Sequence, residues 1–193
     1  MAFSWKIGQQ NLSEGNDLHS QITLKPATKD DIDFIVDIDS NSDIWLIEDE
    51  IETDKEKVRE ATLKKLDSDW YKYFIVRLND EQRTPIGLVY LWHYIAARKS
   101  WEIGYCVLPK YRRRGYCAEA VSALLKIAFE EYGAHRVVAM CSSRNEGSWR
   151  VIEKIGMTRE GLFRQELPCN NEWVDQFFYA MLESEYKSAS ADR

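Results

Sequence analysis

Apolar and polar residues alternate through QITLKPAT (21–28) until Pro26 breaks the run, which predicts a short strand and a turn. The next stretch has helical spacing. Thr28 is placed as the cap, Asp30 and Asp31 fill the first turn, and Ile32, Ile35, Val36 and Asp39 share one face. NSDIWLIEDEIET (41–53) has no clear period and reads as a connection. DKEKVREATLKKLDS (54–68) is a charged helix that turns Val58, Ala61, Thr62 and Leu66 inward. The period then shortens to that of extended chain. Strands are predicted over 71–78, 85–95 and 100–108, joined by hairpin-length turns. Ala118, Val121, Leu125, Ala128, Phe129 and Tyr132 restore helical spacing over 115–132, and Gly133 closes that helix.

A strand over 135–142 follows, then a helix over about 145–155. SRNE (143–146) fits a capping box at its start, and Gly156 stops it. TREGLFRQEL and EWVDQFFYAMLE are the last strands, and the tail 184–193 is expected to fray. The order β, α, α, β, β, β, α, β, α, β, β describes an α/β (α+β) fold with a mostly antiparallel central sheet flanked by helices. The expected organisation is an N-terminal arm or extra element (1–20), one domain over 21–183 and the tail.

At 193 residues the chain fits one such domain. Its formal charge of −6 argues against general nucleic-acid binding and suits a cationic substrate. MAFSWKIGQQNLSEG does not read as a signal peptide, and no apolar run reaches membrane-spanning length. Cys106, Cys117, Cys141 and Cys169 lack metal-site spacing, so no metal is expected, and they read as thiols of a reducing cytoplasm. His19, His93 and His135 are isolated in sequence and receive no role.

In this acidic chain PKYRRRGYCAEAV (109–121) is a local exception. The pattern places RRRGYCA between a strand and a helix N-terminus. Backbone N–H groups there lack intrahelical partners and the dipole is positive, so an anion binds readily. Gly115 admits a close ligand or a positive φ. The stretch matches neither GxxxxGK[ST] nor GxGxxG.

EIGYCVLPKYRRRGYCAEAV resembles the acyl-CoA site of the GNAT superfamily of N-acyltransferases, with that family's [Q/R]-x-x-G-x-[G/A] falling on Arg112, Arg113, Arg114, Gly115, Tyr116 and Cys117. A second block, NEGSWRVIEKIGMTREGLFR (145–164), resembles the family's Asn-x-x-Ser helix and closing segment. GY-x-x-EA and EG are most similar to the RimJ/RimL-like branch of ribosomal-protein N-terminal acetyltransferases, and the resemblance spans about 20–183.

That resemblance implies acetyl-CoA as co-substrate, with its pyrophosphate on the amides of residues 112–118, Ala118 included. Its pantetheine arm would lie between strands 100–108 and 135–142 as they splay. A bulge in the first of these strands would turn a backbone N–H near Val107 or Leu108, beside Cys106, onto the thioester carbonyl. Asn145 and Ser148 would face the arm. Cys117 replaces a small glycine or alanine, and the helix end could lower its pKa. The tyrosine that many members carry four residues after Ser148 is Ile152 here. Ser148 then becomes the candidate acid for the departing thiolate.

Glu102 and Glu166 are the candidate bases. Against each stands a plainer reading, a cross-strand ion pair for Glu102 and a solvated loop for Glu166. Asp175 faces either the groove or solvent. The acids of 41–54 would draw a cationic amine if that segment covers the groove. The implied activity is N-acetylation of a primary amine, foremost the α-amine of a protein or peptide N-terminus. The alternatives are a polyamine or aminoglycoside acceptor, or an acyl-CoA-binding module without catalysis. No nucleic acid or membrane partner is expected, and the family admits a homodimer.

Overall fold

The computed structural model describes residues 20–45, 51–169 and 171–191. Seven strands form one sheet in the order β1-β2-β3-β4-β5-β7-β6. They are β1 (Ile22–Pro26), β2 (Tyr71–Leu78), β3 (Pro85–Ile95), β4 (Ser100–Val107), β5 (Arg136–Ser142), β6 (Thr158–Cys169) and β7 (Glu172–Leu182). Every pairing is antiparallel except that of β4 with β5. The helices are α1 (Ile32–Asp39), α2 (Lys55–Leu66), α3 (Tyr116–Lys126), α4 (Glu146–Lys154) and α5 (Glu183–Ala191). The expected arm, apart from Ser20, and residues 46–50 of the connection lie outside the described residues.

The sheet has a core on each face. Ile35, Ile38, Tyr73, Ile75, Leu88 and Cys106 bury one face under α1 and α2. Val76, Val89, Leu91, Ile103, Val121, Leu124 and Ile152 bury the other under α3 and α4. Paired residues on neighbouring strands project to the same side. Tyr73, Tyr90 and Gly104 therefore share the α1–α2 face, as do Tyr71, Trp92 and Glu102.

Glu119, the acid of GYCAEA, fixes α3 to the start of β1. Its Oε1 accepts from Ser20 Oγ (2.7 Å), Gln21 N–H (2.9 Å) and Ile22 N–H (3.3 Å). Hydrogen bonds to a charged group contribute about 1.5–3 kcal/mol each at most, and sharing one oxygen reduces that. Glu119→Ala should cost about 2 kcal/mol, a fall of about 4–8 °C in thermal midpoint by scanning calorimetry.

Three expectations change. The tail does not fray at 184: α5 runs to Ala191. Tyr186 stacks on Phe129 at 4.8 Å, and the Glu185 carboxylate accepts from Leu182 N–H at 2.8 Å, which anchors the helix start. The cap of α4 is Asn145 rather than Ser143, because Asn145 Oδ1 takes Ser148 N–H at 3.1 Å. The long helix after Gly115 widens into a π turn over Ile127–Glu131, with Tyr132 N–H reaching Ile127 C=O. Gly133, at φ +59°, then ends it as expected.

Candidate active site

β4 and β5 pair only where Ser100, Trp101 and Glu102 face Arg136, Val137 and Val138. Beyond that point β4 continues to Val107 and β5 to Ser142, and β5 pairs only with β7 on its other side. The facing edges thus part into a gap. Because the two strands run in parallel, the helices that follow them, α3 and α4, both begin at the open end of the gap.

The β4 edge offers alternate backbone groups. Leu108 N–H donates to Ile86 C=O at 2.9 Å, and the β3–β4 register is unbroken from Trp101 to Val107. The bulge expected near Val107 is therefore absent, and the register shift of this pair lies at its far end, between His93 and Ile95. Leu108 cannot polarise a ligand, since its N–H is spent on β3. Cys106 stands opposite Leu88 in the same hydrogen-bonding phase. Antiparallel alternation turns the N–H groups of Val107, Tyr105 and Ile103 the other way, into the gap.

At the mouth of the gap the chain makes a tight turn over Pro109–Tyr111 that consumes Arg112 N–H on Pro109 C=O. Arg113 and Gly115 then adopt positive φ, +63° and +89°. The first bond of α3 is Glu119 N–H to Gly115 C=O at 3.1 Å. Among the described residues, no acceptor takes the N–H groups of residues 113–118, which leaves a row of donors at the positive end of a helix. An ideal Cβ built on Gly115 meets nothing within 4 Å, so the space against this row is open. The cradle is narrower than expected, because residue 112 is excluded. The Arg112 side chain departs as well: Nε binds Val107 C=O (3.0 Å) and a terminal nitrogen binds Ile44 C=O (3.2 Å). It braces the loop, while Arg113 and Arg114 remain exposed.

Cys117 corrects a further expectation. Burial pushes its thiol up to about 12, with the charge of Arg112 opposing, and burial pushes Cys106 up to about 12 as well. No disulfide joins the four cysteines. Among the described residues no group of metal-binding side chains forms.

On the α1–α2 face Glu102 occupies the last position before the strands part. It forms none of the ion pairs of the described residues; its partner is the Trp92 side chain, across β3. Burial pushes its carboxyl up to about 7, against a smaller opposing effect of the Trp92 hydrogen bond. Its partner Trp92 is a wall of a cavity of about 560 Å³ that Glu102 itself does not line; the other walls include Trp45, Tyr71, Tyr73, Tyr90, Asp39, Lys57 and Lys65. Tyr90 stacks between Tyr73 (5.2 Å) and Trp92 (5.6 Å). This needs Gly104, since a Cβ there would run into the Tyr90 ring. Burial raises Asp39 to about 6, with Lys65 opposing.

The remaining candidates separate. Glu166 is exposed beside the irregular stretch of β6 between Phe163 and Leu167, away from this cavity's walls. Asp175 caps that irregularity by accepting Gln165 N–H at 2.8 Å. Ser148 lies in the first turn of α4, where the Tyr105 hydroxyl stands 2.7 Å from its Oγ. Tyr105 was not singled out in the sequence, because 43 residues separate it from Ser148 and only the fold joins them. The aromatic stack was legible only as alternation in 71–78 and 85–95.

The family model described as an acetyltransferase (GNAT) domain matches residues 21–158. The uncharacterized N-acetyltransferase YnaD of Bacillus subtilis (strain 168) is 39% identical over 131 residues, 68% of this chain and 76% of that protein. Among solved structures, an acetyltransferase (GNAT family) from Bacillus anthracis superposes with a TM-score of 0.74 at 33% identity, covering 86% of this chain and 97% of that one. The spermidine N-acetyltransferase of Vibrio cholerae, in complex with CoA and spermine, gives 0.79 at 23% identity over 86% and 98%. At that identity it bears on the fold alone.

Proposed function

Because the chain belongs to the acetyltransferase (GNAT) family, we propose that it transfers the acetyl group of acetyl-CoA to an α-amine, as at a peptide or protein N-terminus, by direct attack in a ternary complex. The observation that carries this reading is Glu102, a half-buried carboxylate at the point where β4 and β5 part, with its pKa raised to about 7. An α-ammonium near pKa 8 lies about one unit above such a base, a proton-transfer cost of about 1.4 kcal/mol. A lysine-type or polyamine ammonium near 10.4 lies about 3.4 units above, or about 4.6 kcal/mol. The difference belongs to the amines, so a single base of this strength serves the α-ammonium at the smaller cost.

The rest of the protein, an acyl-CoA-dependent N-acetyltransferase, fits around that base. The N–H groups of 113–118 would hold the pyrophosphate, with Arg113 and Arg114 adding charge. Val107 and Tyr105 would present backbone N–H groups to the arm and thioester carbonyl. Asn145 shapes the first turn of α4, from which Ser148 would donate to the departing sulfur. The aromatic cavity would seat the acceptor's body on the α1–α2 face, so that its nitrogen approaches Glu102 and the gap together. Asp39 adds a second carboxylate for the ammonium before it loses its proton. Of the acids of 51–54, Glu52 lines the cavity and is paired with Lys57 at 3.3 Å, while Asp54 caps α2. We place the reaction in a reducing cytoplasm, where the buried thiols persist.

Initial rates on three acceptors test the assignment: a peptide with a free α-amine, the same peptide N-acetylated but bearing a lysine, and spermidine. The free α-amine should give the largest kcat/KM. A larger value for spermidine would transfer the assignment to small polyamines, and a larger value for lysine would contradict the α-amine assignment.

A further inference from the structure

We infer that Tyr105 is the positioning residue for proton delivery to the leaving sulfur, acting through Ser148 from the strand opposite. The inference rests on the coenzyme lying between β4 and β5. The family's usual donor position is Ile152 here, fully buried in the core and without a proton to give. Tyr105 belongs to β4, three residues past the last β4–β5 pair, and its partner belongs to the helix that follows β5. The Tyr105 side chain therefore links the two sides of the gap.

Two contacts define the pair. The Tyr105 hydroxyl donates to Ser148 C=O at 3.1 Å and lies 2.7 Å from Ser148 Oγ. With the phenolic proton on the carbonyl, Ser148 Oγ–H points back at the phenol. Hydroxyl protons rotate freely, so a second arrangement uses the same atoms. The phenol then donates to Ser148 Oγ, which frees the serine proton for a neighbour in the gap. A negative charge forming near the first turn of α4 favours this second arrangement, because that helix end is positive. Ser148 is held for it at the backbone, where Asn145 Oδ1 takes its N–H at 3.1 Å.

The step balances as follows. The C–N bond forms as the C–S bond breaks, and the sulfur keeps the electron pair of the C–S bond. The sulfur takes the proton of Ser148 Oγ, and Ser148 Oγ takes that of Tyr105. Glu102 first passes the ammonium proton to water, and as the C–N bond forms the nitrogen gives its next proton to Glu102. Proton exchange with water restores Tyr105 and Glu102 after product leaves. No oxidant, metal or further reactant is needed.

The test is Tyr105→Phe, which keeps the ring and removes the hydroxyl. Its kcat should fall about 10- to 100-fold, at the low end of acid–base effects because a thiolate is a good leaving group. Its calorimetric affinity for acetyl-CoA should stay within about twofold. Ser148→Ala should fall by a similar factor, and the double variant no further, since both removals break one relay. A fluorinated tyrosine at 105, with a more acidic phenol, should move the alkaline limb of the kcat profile to lower pH, which a packing role would not do. Wild-type kcat in Tyr105→Phe, multiplied losses in the double variant, or an unmoved alkaline limb would each overturn the inference. The acetyl-CoA affinity of Gly115→Val tests the coenzyme's place separately: unchanged affinity there is a failed gap, whereas lost affinity there with wild-type kcat in Tyr105→Phe is a failed donor.

Discussion

Gly115→Val should lose most of its affinity for acetyl-CoA while keeping its fold. Gly115 sits at φ +89°, where a β-branched residue is strained, and the left-handed region costs an ordinary residue about 1–2 kcal/mol. That strain should lower the thermal midpoint by only several degrees in a chain of this length. The larger effect falls on the ligand. The added side chain would stand in the open space against the N–H row of 113–118. Each N–H to phosphate bond lost is worth about 1.5–3 kcal/mol, or about 10- to 100-fold in affinity. Calorimetric titration with acetyl-CoA should show that loss, with near-native circular dichroism. Gly115→Ala should lie between the two, having the strain and less of the bulk. Unchanged affinity in Gly115→Val would mean that the pyrophosphate binds elsewhere.

Glu102→Gln should reduce kcat/KM by about 10²- to 10⁴-fold, the usual worth of a positioned base, with coenzyme affinity unchanged. The substitution keeps the size of the side chain and an oxygen for the Trp92 hydrogen bond. Its pH dependence is the sharper measure. Burial raises the Glu102 carboxyl from 4.5 to about 7. The carboxylate is therefore the working form above about 7, and wild-type activity is lost as pH falls through that value. The acceptor's own ionisation is common to both proteins and cancels in their ratio. The wild-type to variant ratio should then drop roughly tenfold per pH unit below 7 and level off above it. A ratio flat from pH 5.5 to 8.5 would remove Glu102 from the chemistry and leave Asp39, raised to about 6, as the next carboxylate to test.

Most of the fold could be read along the chain because its period changes are abrupt. The switch from helical spacing to alternation at Tyr71, and back after Gly115, set the strands and helices within a few residues. Gly115 itself was legible, because a glycine before an apolar helical run has few other uses. What could not be read was anything that depends on two distant segments meeting. Whether Leu108 N–H is available depends on Ile86, and Leu108 proved to be paired. Arg112 looked like a ligand for phosphate, yet the carbonyls of Val107 and Ile44 lie closer to hand and take its guanidinium. Cys117 illustrates a contest of magnitudes: the charge of Arg112 favours a thiolate, but burial outweighs it. Glu102 was a candidate by its strand alone. Its standing as a base came from register, which places it beside Trp92 at the last β4–β5 pair and away from any described ion pair. The tail misled because Tyr186 finds Phe129, 57 positions earlier, a contact no local pattern announces.

The most direct test is a crystal structure of the protein with a bisubstrate analogue, in which coenzyme A is joined through an acetyl bridge to the α-nitrogen of a short peptide. The account predicts the pyrophosphate on the N–H row of 113–118, the arm between β4 and β5, and the peptide nitrogen within about 3.2 Å of Glu102, directly or through one water. A peptide nitrogen that approaches the gap from the α3–α4 face, out of reach of Glu102, would contradict it.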